Sequence, residues 1–173
     1  MLPHGPRPVL QFSESAKILI AGQAPGRKVH ESGVPFDDAS GDRLRDWMGV
    51  DRDTFYDAHK IAILPMGFCY PGTGKSGDLP PRPECAARWR AELMAALPEV
   101  HLTLVIGTYA RDWHMPDLKG KVLTDAVRDP GNGDGGIFLL PHPSPRNNIW
   151  LSKNRWFEEE VLPRLKREIA RAI

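Results

Sequence analysis

The sequence predicts a three-layer α/β/α fold built on a central four-stranded parallel sheet. Three observations predict it. Four short apolar runs, each bounded by turn residues, read as buried strands. Stretches with helical periodicity lie between them, and strands alternating with helices favour a parallel sheet covered on both faces. The 173 residues contain no internal repeat and no low-complexity linker, which suits a single domain over residues 1–173 with one core.

The first strand is expected in "KILIAG" (17–22), running into the turn "GQAPG" (22–26). In "SGDRLRDWMGV", Leu44, Trp47 and Met48 fall on one helical face, with Ser40 placed as N-cap. The second strand is "KIAILPMG" (60–67), and the long loop "MGFCYPGTGKSGD" follows it. "PECAARWRAELMAAL" reads as a helix with Trp89, Leu93, Ala96 and Leu97 inward. "LTLVIG" (102–107) is the third strand, and "TYARDWH" a short helix capped by Thr108. "GIFLLPHP" (136–143) is the fourth, leading into "HPSPRNN". The final helix spaces Phe157, Val161, Leu165 and Ile169 four apart, with Pro163 at its start or at a kink. In such sheets ligands bind at the carboxyl ends of the strands, where these three loops gather.

Apolar residues make up 41% and charged residues 26%, the composition of an ordinary globular protein. No apolar run is long enough to span a membrane. The N-terminus lacks the layout of a secretory signal, and two cysteines do not make a disulfide framework, so a reducing, cytoplasmic location is expected. The net charge of +1 hides an uneven distribution: Glu31–Asp57 carries eight acids against three bases, His142–Ile173 seven bases against four acids. That distribution is first described by solvated helix faces, and it permits DNA as a partner without pointing to it.

Two phosphate-binding readings fail on spacing. "GTGKS" has Cys69 where a P-loop needs its first glycine, and a flexible basic surface loop describes it better. "GQAPG" lacks the G-x-G-x-x-G of a dinucleotide fingerprint. Cys69 and Cys85 have no CxxC or histidine pair nearby, so reduced, buried thiols are expected and no metal site.

The pairing of "GQAPG" with "HPSPRNN" resembles the two signature motifs of the uracil-DNA glycosylase superfamily, written there as GQDPY, GEAPG or GINPG and as HPS or HPA. "GVPFDDASGDRLRDWMG" resembles the segment carrying the base-stacking phenylalanine of the thermophilic-type families. "CYPGTGKSGDLPPRPECAARW" resembles their second cysteine stretch, with the same cysteine spacing. The likeness runs from residue 17 to about 162. It implies a base pocket floored by the first turn, with Gly22, Ala24, Pro25 and Gly26 at the base and Phe36 stacking on it. It implies that His142 donates to the uracil oxygen as charge develops, that Ser144 and Pro145 meet the DNA backbone, and that Arg146 enters the minor groove.

Three positions depart from the superfamily. Its carboxylate in the first motif is replaced by Gln23 and Ala24; the thermophilic-type iron–sulfur cluster would lack two of its four cysteines; and the asparagine that reads uracil's edge falls on Pro65. After Phe36, "DDASG" resembles the "FTGDxSG" of one iron–sulfur family of the superfamily, whose catalytic aspartate stands three residues before the glycine. That resemblance implies Asp38 as the charge that stabilises the sugar cation and positions water, with Gln23 assisting, Asp37 as fallback and Asn147 reading the base edge. Helix capping is the alternative use of either aspartate. The expectation is a monomeric uracil-DNA glycosylase needing no cofactor, acting on single- or double-stranded DNA. A non-cleaving binder of damaged or abasic DNA and a glycosylase for another base, such as hypoxanthine, are the rivals.

Overall fold

A computed structural model describes residues 1–173. The elements in chain order are β1 (Ile18–Ala21), α1 (Arg27–Ser32), α2 (Ala39–Met48), α3 (Arg52–Phe55), β2 (Ile61–Ile63), β3 (Thr73–Gly74), β4 (Gly77–Asp78), α4 (Pro83–Cys85), α5 (Ala91–Ala95), β5 (Leu102–Ile106), α6 (Gly107–His114), α7 (Leu123–Arg128), β6 (Ile137–Leu140), α8 (Asn148–Lys153) and α9 (Leu162–Ala172). The four expected strands form one sheet, ordered β2-β1-β5-β6 and parallel throughout. Because β2 lies on one side of β1 and β5 on the other, the chain reverses direction at β1, and the turn leaving β1 opens at that crevice. No helix is long and apolar enough to cross a membrane.

The strands bury both faces, as parallel strands under helices must. Ile18 and Ile20 point into a large core with Leu44, Trp47, Phe157 and Leu165, while Leu19 joins a smaller one with Ala62, Leu64 and Leu97. The four-residue spacing of Phe157, Val161, Leu165 and Ile169 holds, since all four are buried. Pro163 stands in the first turn of α9, just after a π turn over Phe157–Val161. Both sheet edges are covered. Gln11 pairs antiparallel with Ile63 on the β2 side, and buried Asn132 bonds Leu139 through both ends of its amide on the β6 side.

Three local expectations are corrected. Asp38, not Ser40, caps α2, its carboxylate accepting from the Gly41 amide at 2.8 Å. Thr108 caps nothing, because β5 runs directly into α6 at Gly107. The helix expected over 83–97 contains a π turn over Ala86–Arg90, between α4 and α5. That turn carries one extra residue, so the face rotates. Trp89 is 46% exposed and Arg90 is fully buried in its place.

Arg90 has only neutral acceptors. Its Nη1 donates to the Leu64 and Pro65 carbonyls at 2.9 and 3.1 Å, holding the exit of β2. Its Nε and Nη2 reach His114 Nε2 at 3.1 and 2.7 Å. A guanidinium can only donate, so His114 Nε2 accepts and the ring is neutral with its proton on Nδ1. Burial, then the Arg90 charge, pushes the His114 pKa down to about 3. Burial lowers Arg90 to about 10, so it stays charged.

A histidine depressed in this way protonates in the unfolded chain before it does in the native one. Its contribution to stability is complete above pH 6.5 and is lost as pH falls from there toward 3, at up to about 1.4 kcal/mol per pH unit. His114→Gln keeps an acceptor for Arg90 and cannot titrate. Denaturant unfolding between pH 7 and 4.5 is expected to show a shallower loss of stability for the variant; equal slopes would refute this account.

Candidate active site

Three strand exits build one pocket. After β1, the Gly22 and Gln23 carbonyls accept from the Met66 and Gly67 amides, each at 2.9 Å, which ties the first turn to the exit of β2. The amides of Gln23 and Ala24 make no hydrogen bond within the protein and stay available. Gly22 lies under the Phe36 ring: a Cβ there would stand 3.5 Å from Phe36 Cζ.

Phe36 is held in an uncommon way. Its φ of 57° makes it the only non-glycine residue in the left-handed region. Its carbonyl accepts from Arg45 Nη1 at 3.3 Å, and the Tyr56 hydroxyl donates to the Pro35 carbonyl at 2.8 Å. Arg45 is buried, pairs with Asp42 at 2.7 Å and lies over the Phe55 ring. The start of α2 passes directly beneath: a Cβ on Gly41 would fall 1.7 Å from the Phe36 oxygen, so only glycine fits.

The loop after β6 forms the third wall. His142 Nδ1 lies 3.1 Å from the Ser144 amide, which can only donate. In the neutral ring Nδ1 therefore accepts and Nε2 carries the proton. Burial pushes the His142 pKa below its usual value, against the opposing fields of Asp38 and Asp78, so the ring is neutral near pH 7. Arg43 holds the loop through the Ser144 carbonyl at 3.2 Å and Asn148 Oδ1 at 2.6 Å.

Together these walls enclose a cavity of about 160 Å³. Gly22, Gln23, Ala24, Pro25 and Gly26 line it with Phe36, Asp38, Ser40, Pro65, Asp78, His142 and Ser144. It opens into an outer cleft bounded by Ser76, Leu79, Arg146 and Asn147. A partly apolar slot with a flat aromatic wall, a fixed N–H donor and carboxylates can hold a planar heterocycle and stabilise charge on both sides of a breaking bond. A model of the uracil DNA glycosylase superfamily matches residues 10–166. The chain belongs to that superfamily. Membership supports a DNA glycosylase, with DNA as the substrate of the protein.

Most residues expected from the superfamily motifs meet at the pocket, and the exceptions are physical. Asn147 lies outside it on the outer cleft, its Nδ2 donating to the His142 carbonyl at 2.7 Å, which braces the loop. Asp37 turns away toward Arg52, 3.5 Å distant, which removes the fallback carboxylate. Asp38 lines the pocket and also caps α2, so capping leaves its carboxylate at the pocket wall. Arg146 is exposed at the loop tip beside Pro145, and its Nη1 donates to the Ser76 carbonyl at 3.0 Å. The "GTGKSGD" segment is a hairpin, β3 against β4, forming one rim of the site and not a loose loop. The sequence reading missed Asp78 there; the only signal was a carboxylate next to a glycine-rich turn.

An iron–sulfur cluster of the thermophilic-type members does not fit these residues. Cys69 and Cys85 are the only thiols, and Cys85 Sγ accepts from the Phe68 amide at 3.4 Å. Burial pushes the Cys85 thiol up, away from the thiolate a metal requires. No three His, Cys, Asp or Glu side chains are grouped to hold a metal.

Gly41→Ala is expected to lower the melting temperature by several degrees. Overpacking costs about 1–3 kcal/mol, and each kcal/mol is worth about 2–4 °C in a chain of this size. Ser40→Ala, which removes no cap, leaves it nearly unchanged. Calorimetry on both variants checks this, and an unaffected Gly41→Ala protein would contradict the close approach.

Proposed function

We propose that the protein excises uracil from DNA by hydrolysing the N-glycosidic bond, releasing free base and an abasic site. The observation that carries this reading is the His142 ring, neutral and presenting Nε2–H to a pocket walled by Phe36. The extruded base stacks on Phe36, and the free amides of Gln23 and Ala24 meet its polar edge. As the bond to the sugar breaks, its electron pair goes to the base, and His142 donates to the carbonyl oxygen that gains negative charge. Asp38 accepts a hydrogen bond from water and favours positive charge on the sugar, with Gln23 orienting that water. Water adds to the anomeric carbon, its proton passing to Asp38 and from there through solvent to the departing base anion, which leaves the sugar hydroxyl and the neutral free base. Ser144, Pro145 and Arg146 contact the DNA backbone and the groove beside the extruded base. No step calls for a metal or organic cofactor.

Incubation with uracil-containing oligonucleotides, single- and double-stranded, with chelator present, is expected to release uracil and leave alkali-sensitive strands. Intact strands at enzyme excess would refute the activity; tight binding without release identifies a non-cleaving binder, and release of hypoxanthine from a parallel hypoxanthine-containing strand, with uracil retained, a different base specificity.

Asp38→Asn is expected to slow single-turnover excision by on the order of a hundredfold while folding and DNA binding survive. His142→Ala should lose about a hundredfold to a thousandfold, the usual cost of one preorganised oxyanion donor. Because the working imidazole is neutral and its pKa lies below the usual value, activity should persist below pH 6.5 and fall only as His142 protonates. A variant at either position within threefold of the parent rate would remove that residue from the chemistry.

A further inference from the structure

We propose that Asp78 is a second carboxylate of the active site, facing the sugar of the extruded nucleotide at the neck between pocket and cleft. The inference rests on the base-excision reading and names the group that meets the sugar. Gln23, Ala24, Pro25, Asp78, His142 and Ser144 border both the inner pocket and the outer cleft, and Asp78 is the one carboxylate among them, whereas Asp38 borders only the pocket. A nucleotide with its base inside and its phosphates in the cleft must thread its sugar through that neck. The bond that breaks therefore lies beside Asp78.

The carboxylate is unspent and held in place. It takes part in none of the protein's ion pairs. It stands across the opening from the first turn, where a Cβ on Gly26 would lie 3.5 Å from its Oδ2. The hairpin that bears it is closed by the Leu79 amide on the Gly72 carbonyl at 2.8 Å and by Tyr70 bonded to Thr73. Arg146 ties it to the loop after β6 through Ser76, and Gly77, at φ 126°, leaves the room that this guanidinium fills. The field of Asp78 reaches His142, on which it acts together with Asp38.

A negative charge at the neck has two opposed effects. It favours the cationic sugar of the transition state and repels the phosphates of bound DNA. Removing it should therefore slow chemistry and tighten binding, a split that a structural role does not produce. Asp78→Asn is expected to slow single-turnover uracil release tenfold or more while binding an abasic-site duplex as tightly as the parent or more so. Asp78→Glu should stay within threefold of the parent rate. In the Asp78→Asn protein the His142 imidazole, followed by NMR, should titrate at lower pH than in the parent. Parental or faster excision by Asp78→Asn overturns the inference and leaves base excision standing. So does joint loss of rate and binding, or an unmoved His142 titration. A parent protein that releases no base overturns both.

Discussion

The contact between the Phe36 backbone and Gly41 is the one on which the candidate site depends. With no side chain at Gly41, α2 can begin directly under the Phe36 carbonyl. That places the Asp38 cap at the pocket wall and brings Arg45, one turn on, beneath the same carbonyl. Phe36 is thereby fixed in a left-handed conformation, a strain of about 1–3 kcal/mol for a residue with a side chain. Hydrogen bonds to a charged donor contribute about 1.5–3 kcal/mol each, and Arg45 spends one on this carbonyl. A helix start, a strained aromatic and a catalytic-looking carboxylate are thus one unit, and "PFDDASGDRLR" encodes all of it.

The electrostatics of the pocket follow from burial working against two acids. Desolvation alone favours a neutral His142, and Asp38 and Asp78 oppose it. A neutral ring then needs its tautomer fixed, or its proton would point away from the ligand half of the time. The Ser144 amide does this by occupying Nδ1. The same device recurs under the sheet, where Arg90 fixes the tautomer of His114 by donating to Nε2. One histidine is set as a donor toward the pocket, the other as an acceptor for a buried cation.

The sheet was legible in the sequence because its strands are short apolar runs closed by glycine and proline, a pattern that survives any tertiary context. The last helix was legible for the same reason, its four-residue spacing being kept by packing. What failed was phase and range. Counting by helical periodicity cannot see the π turn that replaces Trp89 by Arg90 inside the protein. Ser40 and Asp38 are both good capping residues two positions apart, and the choice between them is made by where Phe36 sits. The hairpin at 73–78 has strands of two residues, too short for periodicity, and it is held by neighbouring Tyr70 and by Arg146 from far along the chain. Asp78 therefore carried no local signature, although Gln23 and His142 could be placed from their motifs.

Each strand leaves the sheet through a different fixture. The exit of β1 is held by amides that follow β2, and that of β2 by the buried guanidinium of Arg90. The exit of β5 passes straight into α6 at Gly107, and that of β6 is braced by Asn147 and Arg43. Two of the four, those of β2 and β6, are held by side-chain donors on backbone carbonyls. Rigid walls suit electrostatic catalysis, because dipoles that are already aimed need no reorganisation when charge appears. They also decide where the conformational work falls. A pocket that is already formed cannot reach into a duplex, so the nucleotide must leave the stack to enter it. On the base-excision reading proposed above, a damaged, mispaired or single-stranded base does so at least cost.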